Sequence, residues 1–118
     1  MKHILVVDDD QSVLKMLTRA LGAYELTIAR CGSEALLLAG QCQPDLLITD
    51  YLMPEMTGDE LIARMREMRP SLKALVITGH GDVLDRELPD WWQAEAHLAK
   101  PFRIQALRDV VSTLIGVA

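Results

Sequence analysis

The feature that most constrains this chain is a set of short apolar runs, each cut off by a residue that carries chemistry. Ile4-Leu5-Val6-Val7 stops at Asp8-Asp9-Asp10, Leu46-Leu47-Ile48-Thr49 at Asp50, Ala74-Leu75-Val76-Ile77 at Thr78-Gly79, and His97-Leu98-Ala99 at Lys100-Pro101. Each run suits a strand, and Ile4-Leu5-Val6-Val7 suits one buried on both faces. Leu26-Thr27-Ile28-Ala29, second in the chain, is a weaker strand. Between the runs, apolar residues recur at spacings of three and four. Val13, Leu14, Met16, Leu17, Ala20 and Leu21 form one helical face, with Asp10 or Ser12 suited to cap its start and Gly22 its end. A second helix is predicted from about Glu34 to Gln41 with Ser33 as N-cap. A third opens on the capping-box pattern Thr57-Gly58-Asp59-Glu60, buries Leu61, Ile62, Met65 and Met68, and stops at Arg69-Pro70. Ile104, Leu107, Val111, Leu114 and Ile115 mark the closing helix. Strand and helix alternate five times, which predicts a doubly wound α/β fold with a five-stranded parallel sheet and helices on both faces.

The fourth helix is expected to be irregular. Residues 83–95 have helical composition, but Pro89 lies among them and should end a helix near Leu88. Asp90 is then suited to cap a separate turn carrying Trp91 and Trp92. Adjacent residues point to different sides, so one Trp is expected in the core and the other partly covered at the surface.

The length of 118 residues fits one domain, 1–118, large enough to bury a core without disulfides or structural metals. An apolar half and a formal charge of −5 exclude disorder. No apolar run approaches about 18 residues, so no membrane insertion is expected, and the apolar run after Met1 is too short for a secretory signal. Cys31 and Cys42 fit no metal spacing and read as free thiols in a reducing compartment, the cytoplasm. The acidic balance and the lack of a basic recognition helix argue against direct nucleic-acid binding.

In a parallel sheet the four interrupted strand ends share one edge, where ligands of such folds gather. Clustered carboxylates repel unless a cation or proton intervenes, and hard oxygen ligands favour Mg²⁺. A hydroxyl from Thr78 and an ammonium from Lys100 beside such a site suit a phosphoryl group. Together these groups point to phosphoryl transfer onto an aspartate.

Val6-Val7-Asp8-Asp9, Asp50-Tyr51-Leu52-Met53-Pro54 with Gly58, Ile77-Thr78-Gly79 and Lys100-Pro101-Phe102 resemble the receiver domains (CheY-like) of two-component response regulators, over essentially the whole chain. The resemblance implies a flavodoxin-like (βα)5 fold with strand order 2-1-3-4-5 and a cis Lys100-Pro101 bond. It implies that Asp50 accepts a phosphoryl group from the phosphohistidine of a histidine kinase or histidine phosphotransfer protein. It further implies Mg²⁺ on Asp9, Asp50 and the Leu52 carbonyl, with Asp8 acting partly through water. Thr78 is the implied switch hydroxyl and Lys100 the implied phosphate partner. The signal would pass to a downstream effector protein or attached domain, or to a homodimer formed on phosphorylation.

Three positions depart from that pattern or tune it. His97 stands three residues before Lys100, where the family often has an aromatic residue that swings inward. It is either a switch residue or a packing histidine. The break at Pro89 alters the surface that commonly passes the signal on. Leu52 and His80 flank the path of the hydrolytic water, and an apolar Leu52 predicts slow loss of the phosphoryl group. Asp10 reads as a helix cap. Two other readings fit parts of the chain. Asp8-x-Asp10 imitates the nucleophile and acid of a haloacid-dehalogenase-like phosphatase, although Ser12 stands where that family has Thr or Val and only Asp109 follows the lysine. The other is a receiver-shaped binding module that is never phosphorylated. Asp8, Asp9, Asp10 and Asp50 supply four of the 17 acids; without them 12 basic residues face 13 acidic ones, so most of the net charge is expected in one pocket.

Overall fold

The computed structural model describes residues 2–79, 81–87 and 89–116. Eleven elements follow in order: β1 (His3–Val7), α1 (Gln11–Ala20), β2 (Glu25–Ala29), α2 (Gly32–Cys42), β3 (Leu46–Asp50), α3 (Gly58–Met68), β4 (Lys73–Thr78), α4 (Gly81–Glu87), α5 (Asp90–Ala94), β5 (Ala96–Ala99) and α6 (Ile104–Ile115). The strands form one parallel sheet in the order β2-β1-β3-β4-β5, as the sequence motifs implied.

Alternation along each strand splits the core in two. Ile4, Val6, Ile48, Leu75 and Ile77 face α1 and α6, where they meet Leu14, Leu17, Leu107 and Val111. Leu5, Val7, Leu47, Ala74 and Val76 face the other way, against Ala35 of α2, Leu61 and Met65 of α3, Leu84 of α4 and Trp92 of α5. Successive side chains of a strand point to opposite faces, so a run with no polar member is what a doubly covered strand requires. Among the described residues no helix is long and apolar enough to cross a membrane.

The helix termini obey local rules only in part. Asp10 caps α1, accepting the Ser12 N–H at 2.9 Å, and the helix closes at Leu21 rather than Gly22. Cys31, not Ser33, is the N-cap of α2, because the Ser33 hydroxyl donates to Glu55 at 2.7 Å instead. Thr57 is the N-cap of α3 without a side-chain capping bond; the Gly58 N–H is taken by the Tyr51 carbonyl at 2.7 Å. The break at Pro89 is real. It separates α4 from the five-residue α5, with Pro89 itself in the N-cap position and Asp90 in the first turn. Leu88 lies outside the described residues. Trp92 is buried and Trp91 partly covered, as adjacency predicted. A two-pronged Arg66–Glu95 pair ties the end of α5 to α3.

Candidate functional site

The sheet order places the four interrupted ends side by side. Val7 pairs with Thr49, so Asp8 and Asp50 leave adjacent strands at one level. Asp50 pairs with Ile77, which puts Thr78 one step beyond on the next strand. Thr78 pairs with Ala99, and its carbonyl accepts the Lys100 N–H at 2.8 Å, carrying the ladder up to the lysine. The Lys100-Pro101 bond is cis, as the resemblance implied.

One oxygen from each of Asp8, Asp9 and Asp50 lies within 4.8 Å of the other two. Lys100 Nζ bridges Asp8 Oδ2 at 3.0 Å and Asp50 Oδ2 at 3.4 Å. The second oxygen of each buried carboxylate is also held: Asp8 Oδ1 accepts the Asp10 N–H at 2.9 Å, and Asp50 Oδ1 the Tyr51 N–H at 2.7 Å. Asp8 and Thr78 are fully buried, Asp50 retains 14% of its side-chain exposure and Asp9 is exposed. The cluster therefore opens to solvent from the Asp9 side.

Its electrostatics follow from crowding. Burial pushes the Asp50 carboxyl above its ordinary value of 3.8, and Asp8 pushes the same way. Lys100 and the Tyr51 N–H pull it back without cancelling the rise. Burial also works against charge on Lys100, but the hydrogen bond to Asp8 and the fields of Asp50 and Asp8 outweigh it, so the ammonium holds its proton more tightly than usual. Three carboxylates against one ammonium leave an unbalanced acidic pocket. Oxygen ligands on one Mg²⁺ lie about 3–4 Å apart, given bonds of about 2.1 Å. The observed spread needs only a slight contraction to meet that requirement, and the all-oxygen donor set suits a hard divalent cation.

Not every candidate joins the cluster. Asp10 is occupied as the α1 cap, so the Asp8-x-Asp10 phosphatase pairing is not assembled; among the described residues the converging carboxylates are Asp8, Asp9 and Asp50. Leu52 lies in the loop after β3, with its side chain 47% exposed and its backbone bridged to Thr57. His97 lies on the outer strand β5, its ring stacked on Trp92 at 3.6 Å and its Nδ1 3.1 Å from the Glu95 carbonyl. His80 lies outside the described residues. Cys31 and Cys42 are free, as expected.

One contributor escaped sequence reasoning, and a second, Gly58, was legible only as part of the motif after Asp50. Tyr51 supplies the N–H that holds Asp50, and its ring stacks on Trp91 at 4.9 Å. An aromatic directly after the strand-end carboxylate, in a chain with 4% aromatics, was the available signal. Gly58 lies so close to the end of β3 that a Cβ there would come within 2.5 Å of the Asp50 carbonyl oxygen. This close approach is what only glycine permits.

Comparison with known proteins agrees with this geometry. The family model described as response regulator receiver domain matches residues 4–112. The transcriptional regulatory protein GlrR of Escherichia coli is 32% identical over 111 residues, covering 92% of this chain and 25% of GlrR. The response regulator MprA of Mycolicibacterium vanbaalenii is 36% identical over 107 residues, covering 89% of this chain and 46% of MprA. The chain thus spans a quarter to just under half the length of these curated relatives. Among solved structures, the Vibrio cholerae chemotaxis protein CheY4 superposes with a TM-score of 0.85 at 28% identity, covering 98% of this chain and 99% of CheY4. A response regulator receiver domain protein from Clostridium thermocellum gives 0.85 at 26% identity, covering 98% and 94%. The strand-end cluster, the sheet order and these matches converge: the chain belongs to the response regulator receiver domain family.

Proposed function

We propose that Asp50 is the phosphoacceptor of this receiver domain, a signalling module rather than a classical enzyme. The observation that carries the reading is the bridge from Lys100 Nζ to both Asp8 and Asp50 within a triad of converging carboxylates. In the transfer, an Asp50 carboxylate oxygen forms a bond to phosphorus while the phosphorus–nitrogen bond of a phosphohistidine breaks. The electron pair stays on the imidazole nitrogen, which then takes a proton from water. Such a reaction is governed mainly by positioning and charge stabilisation.

Asp8, Asp9 and Asp50, with the Leu52 carbonyl, would hold Mg²⁺. When bound, the ion offsets the charge of the carboxylates and of the incoming phosphoryl oxygens. Lys100 already faces the Asp50 oxygens and would shift its ion pair onto the new phosphoryl group. The Thr78 hydroxyl, buried at the adjacent strand end, would donate to the same group. His97, on the strand that leads into Lys100, is the candidate for passing that shift to the surface. The donor is a histidine kinase or histidine phosphotransfer protein. The readout is a downstream effector, an attached domain or a second copy of the chain. Residues 1–118 would act as one receiver unit in the cytoplasm.

Intact-mass measurement after incubation with acetyl phosphate and Mg²⁺ tests this. One phosphoryl adduct is expected on the native chain and none on Asp50→Ala or in the presence of a chelator. An adduct that survives Asp50→Ala would overturn the assignment.

A further inference from the structure

An unbroken run of aromatic contacts crosses the edge of the sheet beside Asp50. Tyr51 stacks on Trp91 with ring centroids 4.9 Å apart and planes inclined by 24°. Trp91 meets Trp92 edge-on at 5.7 Å and 80°, and Trp92 lies flat against His97 at 3.6 Å and 16°. The two ends of the run belong to the segments that carry the two partners of one carboxylate. Tyr51 donates its N–H to Asp50 Oδ1 at 2.7 Å. His97 belongs to β5, the strand that leads into Lys100, whose Nζ reaches Asp50 Oδ2 at 3.4 Å. The rings therefore connect the segments that hold each oxygen of Asp50. The break at Pro89 makes this possible, because α5 is the element that presents Trp91 and Trp92.

We infer that Trp91 is a positioning residue for the phosphorylation of Asp50, acting through Tyr51. This rests on Asp50 being the phosphoacceptor. Tyr51 stands where the chain leaves β3. Its carbonyl is fixed by the Gly58 N–H at 2.7 Å, and its N–H orients the Asp50 carboxylate. Rotation of the Asp50–Tyr51 peptide would carry that N–H away from Oδ1 and let the carboxylate plane turn. Where that rotation is accompanied by a shift of the Tyr51 Cα, the ring moves too, and Trp91 covers one of its faces. A stacked aromatic pair biases such a two-state choice by roughly two- to tenfold. With the carboxylate plane set before a donor arrives, less of the approach is lost to misorientation.

The test compares Trp91→Leu, which keeps apolar bulk but removes the stack, with Trp91→Phe, which keeps a ring. Labelling rates with acetyl phosphate and Mg²⁺ are followed by intact mass, and the Tyr51 amide signal by ¹H–¹⁵N NMR without any phosphodonor. Trp91→Leu is expected to slow labelling by about two- to tenfold and move the Tyr51 amide, with Trp91→Phe restoring both. The inference is overturned if folded Trp91→Leu labels at the native rate, leaves the Tyr51 amide in place, or is matched in both effects by Trp91→Phe. Failure of the native chain to label would instead sink the phosphoacceptor reading, and the amide signal alone would then judge the positioning. If Trp91→Leu does not fold, Tyr51→Leu removes the other half of the stack. It must slow labelling by the same factor, and an unchanged rate overturns the inference.

Discussion

Replacing Asp50 with Asn should make the metal-free protein more stable. The Asp50 and Asp8 oxygens lie within 4.8 Å, so at an effective dielectric of about 20 their repulsion is at least about 3.5 kcal/mol. Lys100 Nζ, 3.4 Å from Asp50 Oδ2, returns about 5 kcal/mol on the same scale. The pair terms leave only about 1.5 kcal/mol in favour of the charge, against a desolvation cost of several kcal/mol for a mostly buried carboxylate. Exposed Asp9 adds a screened repulsion. The balance is unfavourable by about 2 kcal/mol, which agrees in sign with the raised pKa of Asp50. Asn keeps the acceptor for the Tyr51 N–H and removes the charge. Urea unfolding at neutral pH with a chelator should show a gain of about 2 kcal/mol, or roughly 8 °C in Tm. Because the folded-state pKa is raised, protonation of Asp50 contributes stability that is complete below pH 3.8 and is lost as pH rises through the raised value. The gap between variant and native protein should therefore close as pH falls toward 3.8 and be fully open at neutral pH. Saturating Mg²⁺ should reverse the order, since a ligand at 100 times its Kd stabilises the native pocket by about 2.7 kcal/mol and Asn is a poorer ligand. Loss of stability in Asp50→Asn at neutral pH without divalent cations would refute the reasoning.

Gly58→Ala should destabilise the protein by about 1–3 kcal/mol in urea unfolding and slow acetyl phosphate labelling, because the new Cβ meets the backbone oxygen of Asp50 at 2.5 Å. Trp92→Ala should cost about 3–5 kcal/mol in the same assay, since the indole is 2% exposed and packs in the core on the α2–α3 face of the sheet. Leu52→Asn should shorten the lifetime of phosphorylated Asp50, measured as decay of the intact-mass adduct. An exposed amide two residues after Asp50 can orient water where the native leucine cannot.

Much of the site was legible because the chemistry sits where apolar runs stop. Asp8, Asp50 and Thr78 end runs that form buried strands, Lys100 follows the half-exposed edge strand β5, and a parallel sheet brings all four ends to one edge. Helix termini were less legible. Ser33 is drawn to Glu55, and Thr57 makes no side-chain capping bond, so local capping patterns pointed to bonds that do not form. The Arg66–Glu95 pair and the Tyr51–Trp91 stack link residues far apart in sequence, and no periodicity marks either one. The Pro89 break could be read from proline's missing donor. What the break creates could not, because it depends on how two adjacent indoles divide between the core and Tyr51.

The distribution of charge shows the same division between local and distant causes. Of the four aspartates near the strand ends, Asp8, Asp9 and Asp50 converge and Asp10 caps α1, as its position after the strand suggested. A strand end followed at once by a helix must supply both a carboxylate to the cluster and a helix start. Asp8 Oδ1 accepts the Asp10 N–H, and Asp10 in turn accepts the Ser12 N–H. The buried carboxylate is thus fixed by the same turn that begins α1. Its other oxygen is free to take Lys100 from the far side of the sheet's edge. Consecutive acids at this turn are therefore not interchangeable. Asp8 is buried and paired, Asp9 opens the pocket to solvent, and Asp10 holds the helix whose burial keeps the first two in place.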